Sequence, residues 1–256
     1  MLQCGRYNRC SVPHYDRIYL SPHLDDAIFS CGGRIHAEVR EGRSILIATV
    51  ATAPAPARLS RYAERFHRRG GLSADAVTRR CDEDLEAARQ LGAETLHLGL
   101  PDAMYRVDTI SGRALYPRVT ALLGRPRAGD PLRPLLRRAL DDLPESDLLV
   151  LPFAIGGHVD HRLTRGVAET VCAGREVAYW EDFPYLARPL RPGPRPGPGW
   201  RPELTELDDE ALEARCRAMA TYGSQVQTIF GDEARMRRRV ERTVRKLGGE
   251  RYWRRL

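Results

Sequence analysis

The chain has 256 residues, 42% of them hydrophobic and 29% charged, with a formal net charge of +7. That length and apolar share suit one domain, residues 1–256, with a real core, and exclude wholesale disorder and collagen-like repeats. No apolar run approaches the roughly 18 residues of a membrane span, and residues 1–17 lack the apolar centre of a secretory signal, so a cytoplasmic protein without stable membrane association is expected.

In chain order the pattern alternates strand and helix. Ile18–Leu20 is a short apolar strand ending at Ser21-Pro22, and Ala27 to Arg40 reads as a helix stopped by Gly42. Ser44–Val50 is a continuous β-rich run, typical of a strand buried on both faces. Residues 51–72, with Pro54, Pro56 and Gly70-Gly71, read as a loop with about one turn of helix. Ser73 can cap a long helix that carries Val77, Cys81, Leu85, Ala88 and Leu91 on one face and stops at Gly92. Thr95–Leu98 is a third strand, Asp130-Pro131 opens another helix, and Asp147–Leu151 is the fourth strand. Leu163–Cys172 is again a helix and Glu176–Trp180 a fifth strand. Alternation of this kind implies an α/β fold with a mostly parallel sheet and helices on both faces.

Residues 187–202 are too rich in proline and glycine for regular structure and read as an exposed loop or flap. From Asp208 the chain reads as helical, broken near Gly223 and Gly231. Residues 233–256 hold ten basic and three acidic residues, which accounts for the whole +7; residues 1–232 balance at 31 of each. The tail therefore reads as a basic helix with a solvated face, and no nucleic-acid partner is expected. Contact with phosphates or an acidic partner is the alternative. The cysteines Cys4, Cys10, Cys31, Cys81, Cys172 and Cys216 are scattered without a CxxC pair, which fits neither a zinc ribbon nor a disulfide framework. Cys31 reads as a small buried residue.

Two clusters carry the chemistry. Ser21-Pro22-His23-Leu24-Asp25-Asp26 follows the first strand, and Gly156-Gly157-His158-Val159-Asp160-His161 follows the fourth. In an open parallel sheet, ligands bind at the carboxyl ends of the strands where strand order reverses. If the order is 3-2-1-4-5, the two loops face each other and bring three histidines and three aspartates to one place. Imidazole and carboxylate ligands suit a divalent metal such as zinc, and three protein ligands leave a position open for chemistry. Taken singly, the residues have plainer readings. Asp25-Asp26 could cap the next helix, and His158 or His161 could be an ordinary surface or hydrogen-bonded histidine. Two such loops at matched strand ends are hard to explain that way.

The two motifs resemble those of the PIG-L/LmbE-like family of zinc-dependent N-deacetylases, (P/A)HPDDE and HxDH. Weaker matches are Arg80-Cys81-Asp82-Glu83 with Leu91-Gly92, Leu98-Gly99-Leu100-Pro101-Asp102, and Tyr222-Gly223-Ser224-Gln225. The resemblance implies a Rossmann-like three-layer sandwich with a helical C-terminal tail. It implies one Zn²⁺ per chain on His23, Asp26 and His161, with Asp25 as base. It gives His158, protonated, to the oxyanion, and Asp160 to orienting a histidine. Arg80 and Asp102 would lie on the substrate side; their alternatives are a helix-surface ion pair and a turn residue. The implied substrate is a small N-acyl amino sugar or glycoconjugate, with oligomeric state left open. The family's proline and glutamate are replaced by Leu24 and Ala27, and Glu181-Asp182 could supply a substitute carboxylate. The other classes open to these residues are a metal-dependent phosphoesterase and a non-catalytic sugar- or nucleic-acid-binding protein.

Overall fold

The computed structural model describes residues 13–70, 75–187 and 193–256. The elements run β1 (His14–Ser21), α1 (Asp26–Arg40), β2 (Ile45–Ala51), α2 (Arg61–Gly70), α3 (Ala76–Leu91) and β3 (Glu94–Leu100). They continue with α4 (Val119–Leu122), α5 (Leu132–Asp141), β4 (Glu145–Pro152), α6 (Val159–Val171) and β5 (Val177–Trp180). The last are β6 (Trp200–Thr205), α7 (Asp209–Thr221), α8 (Gly223–Phe230), α9 (Glu233–Leu247) and β7 (Glu250–Arg255).

The sheet order is β3-β2-β1-β4-β5-β7-β6. β1 to β5 pair in parallel, with Ile18 opposite Leu46 on one side and Leu149 on the other, while β7 and β6 close the edge antiparallel. The expected 3-2-1-4-5 order is therefore present, and strand order reverses between β1 and β4. Every residue of β2 is buried, as a strand covered on both faces requires. Right-handed crossovers running outward from β1 and then across to β4 put their helices on opposite faces. α1, α3 and α7 pack together as one layer, and α5 with α6 as the other. The core is continuous from Ile18 and Leu20 through Val150 and Leu151 to Trp180. Among the described residues no helix is long and apolar enough to cross a membrane.

Four expectations change. The segment 51–72 holds a full helix, α2, whose first turn is capped by Ser60 Oγ accepting from the Ala63 amide at 3.2 Å. On α3, Leu85 is 49% exposed, because the buried position on that turn belongs to Asp84. Its carboxylate accepts from Thr49 Oγ1 (3.2 Å) and the Tyr222 hydroxyl (2.6 Å), and pairs with His97 Nε2 (2.9 Å). The tail is not helical to its end: α9 buries Met236, Val240 and Thr243, and then β7 joins the sheet. β7 looks polar in sequence because its Glu250 is buried as a partner. That carboxylate accepts from the Gly33 and Arg34 amides at 3.0 and 2.8 Å and pairs with Arg215 at 3.0 Å. Likewise Trp200–Pro202, read as loop, starts β6. The Ser73 cap, Cys4 and Cys10 lie outside the described residues; Cys31 is buried as expected.

Candidate metal and hydrolytic site

Both motifs sit where β1 and β4 end and the next helix begins. Asp26 is the first residue of α1, and His158 is the N-cap of α6, with Asp160 and His161 in its first turn. α6 thus starts before the expected Leu163, and two positive helix ends point at one spot, which favours carboxylates there. The capping alternative for Asp25-Asp26 is answered locally. Ser21 Oγ accepts from the Ala27 amide (3.1 Å), while the Asp25 side chain makes no cap bond. Ser21 frees both carboxylates.

The loop before His158 is tight. Gly156 (φ +97°) lies so near Tyr185 that a Cβ would sit 2.5 Å from its ring. Gly193 (φ +115°), in the Pro/Gly-rich segment, packs on the same turn; a Cβ there would sit 2.6 Å from the Ala154 oxygen and 2.7 Å from the Gly157 nitrogen. The described part of that segment therefore braces the site loop from behind. Gly193→Ala is expected to cost about 1–3 kcal/mol, about 2–4 °C in Tm per kcal/mol for a chain this size. Gly197→Ala, with open space around it, is the control. Equal melting curves for the two variants would remove the brace.

The predicted residues converge, apart from Glu181. Asp26 Oδ2 accepts from the His23 amide and pairs with His23 Nδ1, each at 2.9 Å, and lies 3.2 Å from His161 Nε2. The far ring nitrogens are held by buried carboxylates: His23 Nε2 by Asp160 Oδ2 at 3.0 Å, and His161 Nδ1 by Asp182 Oδ1 at 2.5 Å. Asp160 also accepts from the Ala103 amide at 3.0 Å, and Asp182 from the Ile155 amide at 2.8 Å. Glu181 instead accepts from Arg251 and from Trp253 Nε1 at 2.9 Å, away from the cluster. Asp25 Oδ2 stands 3.6 Å from Arg80 Nη2. Asp102 lies 3.7 Å from His23 Nε2 and also caps the following turn through the Met104 amide, so its turn reading holds as well. Candidate ligand atoms of His23, His158 and His161 fall within 4.8 Å of one another, as do those of His23, Asp102 and Asp160.

Electrostatics follow from this packing. Burial, with Asp26 beside it, pushes the Asp25 carboxyl up to about 7 against the pull of Arg80. Burial would also raise Asp26, but His161 and His23 hold it well below the usual carboxylate range. Burial opposes charge on His161, yet Asp26 and Asp182 carry it up to about 10. Burial, and then the charge on His23, press His158 down to about 3. Both oppose the charge that the resemblance implied for His158. Its Nδ1 accepts from the Asp160 amide at 3.3 Å, which leaves Nε2–H as the donor.

The donor set fits a divalent cation. Ligand atoms of His23, His158 and His161 lie within 4.8 Å of one another, Asp26 Oδ2 lies beside both His23 Nδ1 and His161 Nε2, and His23 and His161 are each oriented by a carboxylate behind them, as metal-bound histidines usually are. His161 Nε2 is buried yet makes no hydrogen bond of normal geometry among the described residues, which is how a ligand atom looks without its ion. His23, Asp25, Asp26, Asp102 and His158 line a cavity of about 300 Å³, together with Tyr62, Phe66, Met104, Leu123, Tyr185 and Ile229. A larger cleft of about 670 Å³ is bordered by Arg17, Asp147, Arg175 and Arg254, and has no histidine in its lining. Sequence reading missed the apolar wall from α2 and the role of Arg106, which pairs with Asp160 at 2.6 Å. Neither has a motif that would have revealed it.

A doubly wound α/β domain with a His/Asp cluster at the switch point between its first and fourth strands has the architecture of a hydrolase built for a metal ion. The family model described as PIG-L, GlcNAc-PI de-N-acetylase, matches residues 18–172, and the chain belongs to that family. It is 30% identical to a 2'-N-acetylparomamine deacetylase of Niallia circulans, over 85% of this chain and 83% of that one. It is also 30% identical to a protein of the same name from Streptomyces fradiae, over 92% and 80%. Its fold superposes on the zinc-inhibited form of teicoplanin deacetylase Orf2 with a TM-score of 0.76, at 27% identity, over 94% of this chain and 97% of that one.

Proposed function

We propose that the chain is a zinc-dependent N-deacetylase, with one zinc per chain, that removes an acetyl group from an amino sugar borne on a larger glycoconjugate of secondary metabolism. The observation that carries this reading is the convergence of His23, Asp26 and His161, each histidine backed by a buried carboxylate, next to Asp25 and His158. A divalent cation held by those three residues supplies electrophilic activation of the amide carbonyl and of the attacking water. Asp25 takes the proton of that water as it adds to the carbonyl carbon. His158 donates Nε2–H to the oxyanion that forms. The C–N bond then breaks, Asp25 returns the proton to the leaving amine, and acetate departs. Arg80 and Asp102, on the cavity wall, serve as contacts for the polar part of the substrate. The apolar wall above them suits a hydrophobic body attached to the sugar. Relatives named as deacetylases of 2'-N-acetylparomamine and teicoplanin support the substrate class.

The test is metal analysis followed by amine and acetate release from N-acetyl amino-sugar glycosides, with and without chelator. About one zinc per chain and chelator-sensitive release are expected, with higher kcat/KM when the aglycone is apolar. A zinc-replete protein that releases no amine from any of them would overturn the deacetylase reading.

A further inference from the structure

Arg106 has no place in the motifs, yet its side chain is fully buried between the starts of two helices. Its Nε lies 2.8 Å from Asp130 Oδ1, and its Nη2 donates to Asp130 Oδ2 at 3.0 Å. The same Nη2 pairs with Asp160 Oδ1 at 2.6 Å, and Nη1 donates to the Pro101 carbonyl at 3.1 Å. Asp130 is itself fixed by the Tyr116 hydroxyl (2.6 Å) and the Leu132 amide (2.9 Å). Asp160 turns its other oxygen to His23 Nε2. One guanidinium thus joins the start of α5, the 101–106 turn that bears Asp102, and the carboxylate behind His23.

We propose that Arg106 is a positioning residue, which holds the Asp160 side chain in place so that its Oδ2 stays on His23 Nε2 and the His23 ring keeps Nδ1 turned toward Asp26. A guanidinium fixed by its hydrogen bonds to Asp130 and the Pro101 carbonyl holds its charge against Asp160 with a rigidity that a flexible ammonium lacks. Without the guanidinium between them, the buried Asp130 and Asp160 carboxylates would repel each other, and Asp160 would turn away from His23. That turn releases the His23 ring. The proposal rests on the reading of His23 as a metal ligand, so its test needs one readout that requires no metal.

The protein is labelled on histidine nitrogen and compared with Arg106→Gln, Arg106→Lys and Asp130→Asn. In the metal-free wild type, the His23 Nε2–H bonded to buried Asp160 should give a slowly exchanging imidazole resonance. Arg106→Gln should lose it, Arg106→Lys should keep it with faster exchange, and Asp130→Asn should leave it in place. Zinc affinity, by chelator competition, should fall about 10–100-fold in Arg106→Gln, less in Arg106→Lys, and little in Asp130→Asn. If Arg106→Gln does not fold, Arg106→Lys alone decides. A folded Arg106→Gln that keeps the resonance, or an Arg106→Lys in which it exchanges no faster than in wild type, overturns the proposal, and so does an Asp130→Asn protein that loses the resonance as fully as Arg106→Gln. A wild type that shows the resonance but binds no zinc overturns the metal reading and leaves the role of Arg106 standing.

Discussion

Asp25→Asn is expected to lower kcat by about 10²–10⁴-fold, the usual worth of a general base, while zinc content stays at the wild-type level. The side chain does no capping, since Ser21 serves the start of α1. Its nearest ion-pair partner is Arg80 at 3.6 Å, so the carboxylate is not locked in a salt bridge. Burial and Asp26 raise its proton affinity; a cation beside it would favour the charged form again, and the balance suits a group that takes and returns a proton. Asparagine keeps the size and removes only the basicity. Asp26→Asn, one residue on, should instead lose the metal, because its oxygen is the point both histidines face. The paired measurement is kcat and bound zinc on each variant. A zinc-replete Asp25→Asn enzyme with wild-type kcat would take Asp25 out of the reaction.

What was legible in the sequence was whatever rests on backbone periodicity and strand ends. The apolar runs at Ile18–Leu20 and Leu148–Leu151 lie side by side as expected, so the loops after them meet. Illegible were the places where charge is buried in pairs. Asp84, Glu250 and Arg106 are polar by type, and a pattern that places polar residues outside assigns them to solvent. Each is inside because a partner distant in sequence compensates it: Tyr222, Arg215 and Asp160 respectively. β7 was lost for the same reason, as was the true face of α3. α2 was hidden by its flanks, where two prolines and a glycine pair suggest loop although Arg61–Gly70 form a helix. Of Glu181-Asp182 only Asp182 reaches the cluster, because alternation along the chain after β5 turns its neighbour toward Arg251 and Trp253.

That alternation gives the second large effect. His161→Ala is expected to reduce zinc binding below detection, and Asp182→Asn to weaken it about 10–100-fold, with Glu181→Gln unchanged. His161 is fully buried, with Nδ1 on Asp182 and Nε2 toward Asp26. Without its ring, two buried carboxylates lose a shared cation or ligand, and three donors become two. Stability should fall too, since an uncompensated buried charge costs about 3–5 kcal/mol. The metal-free melting temperature is therefore recorded alongside zinc affinity. Asp182→Asn separates the two effects: the amide can still bond His161 Nδ1, but it no longer raises the ring's basicity or fixes one tautomer. A metal-free protein as stable as wild type with tenfold weaker zinc binding is the pattern of a group that orients a ligand. Equal zinc affinity in Asp182→Asn and wild type would mean that His161 needs no carboxylate behind it. Zinc retained in His161→Ala would move the metal to another set, such as His23, Asp102 and Asp160, whose donor atoms lie within 4.8 Å of one another.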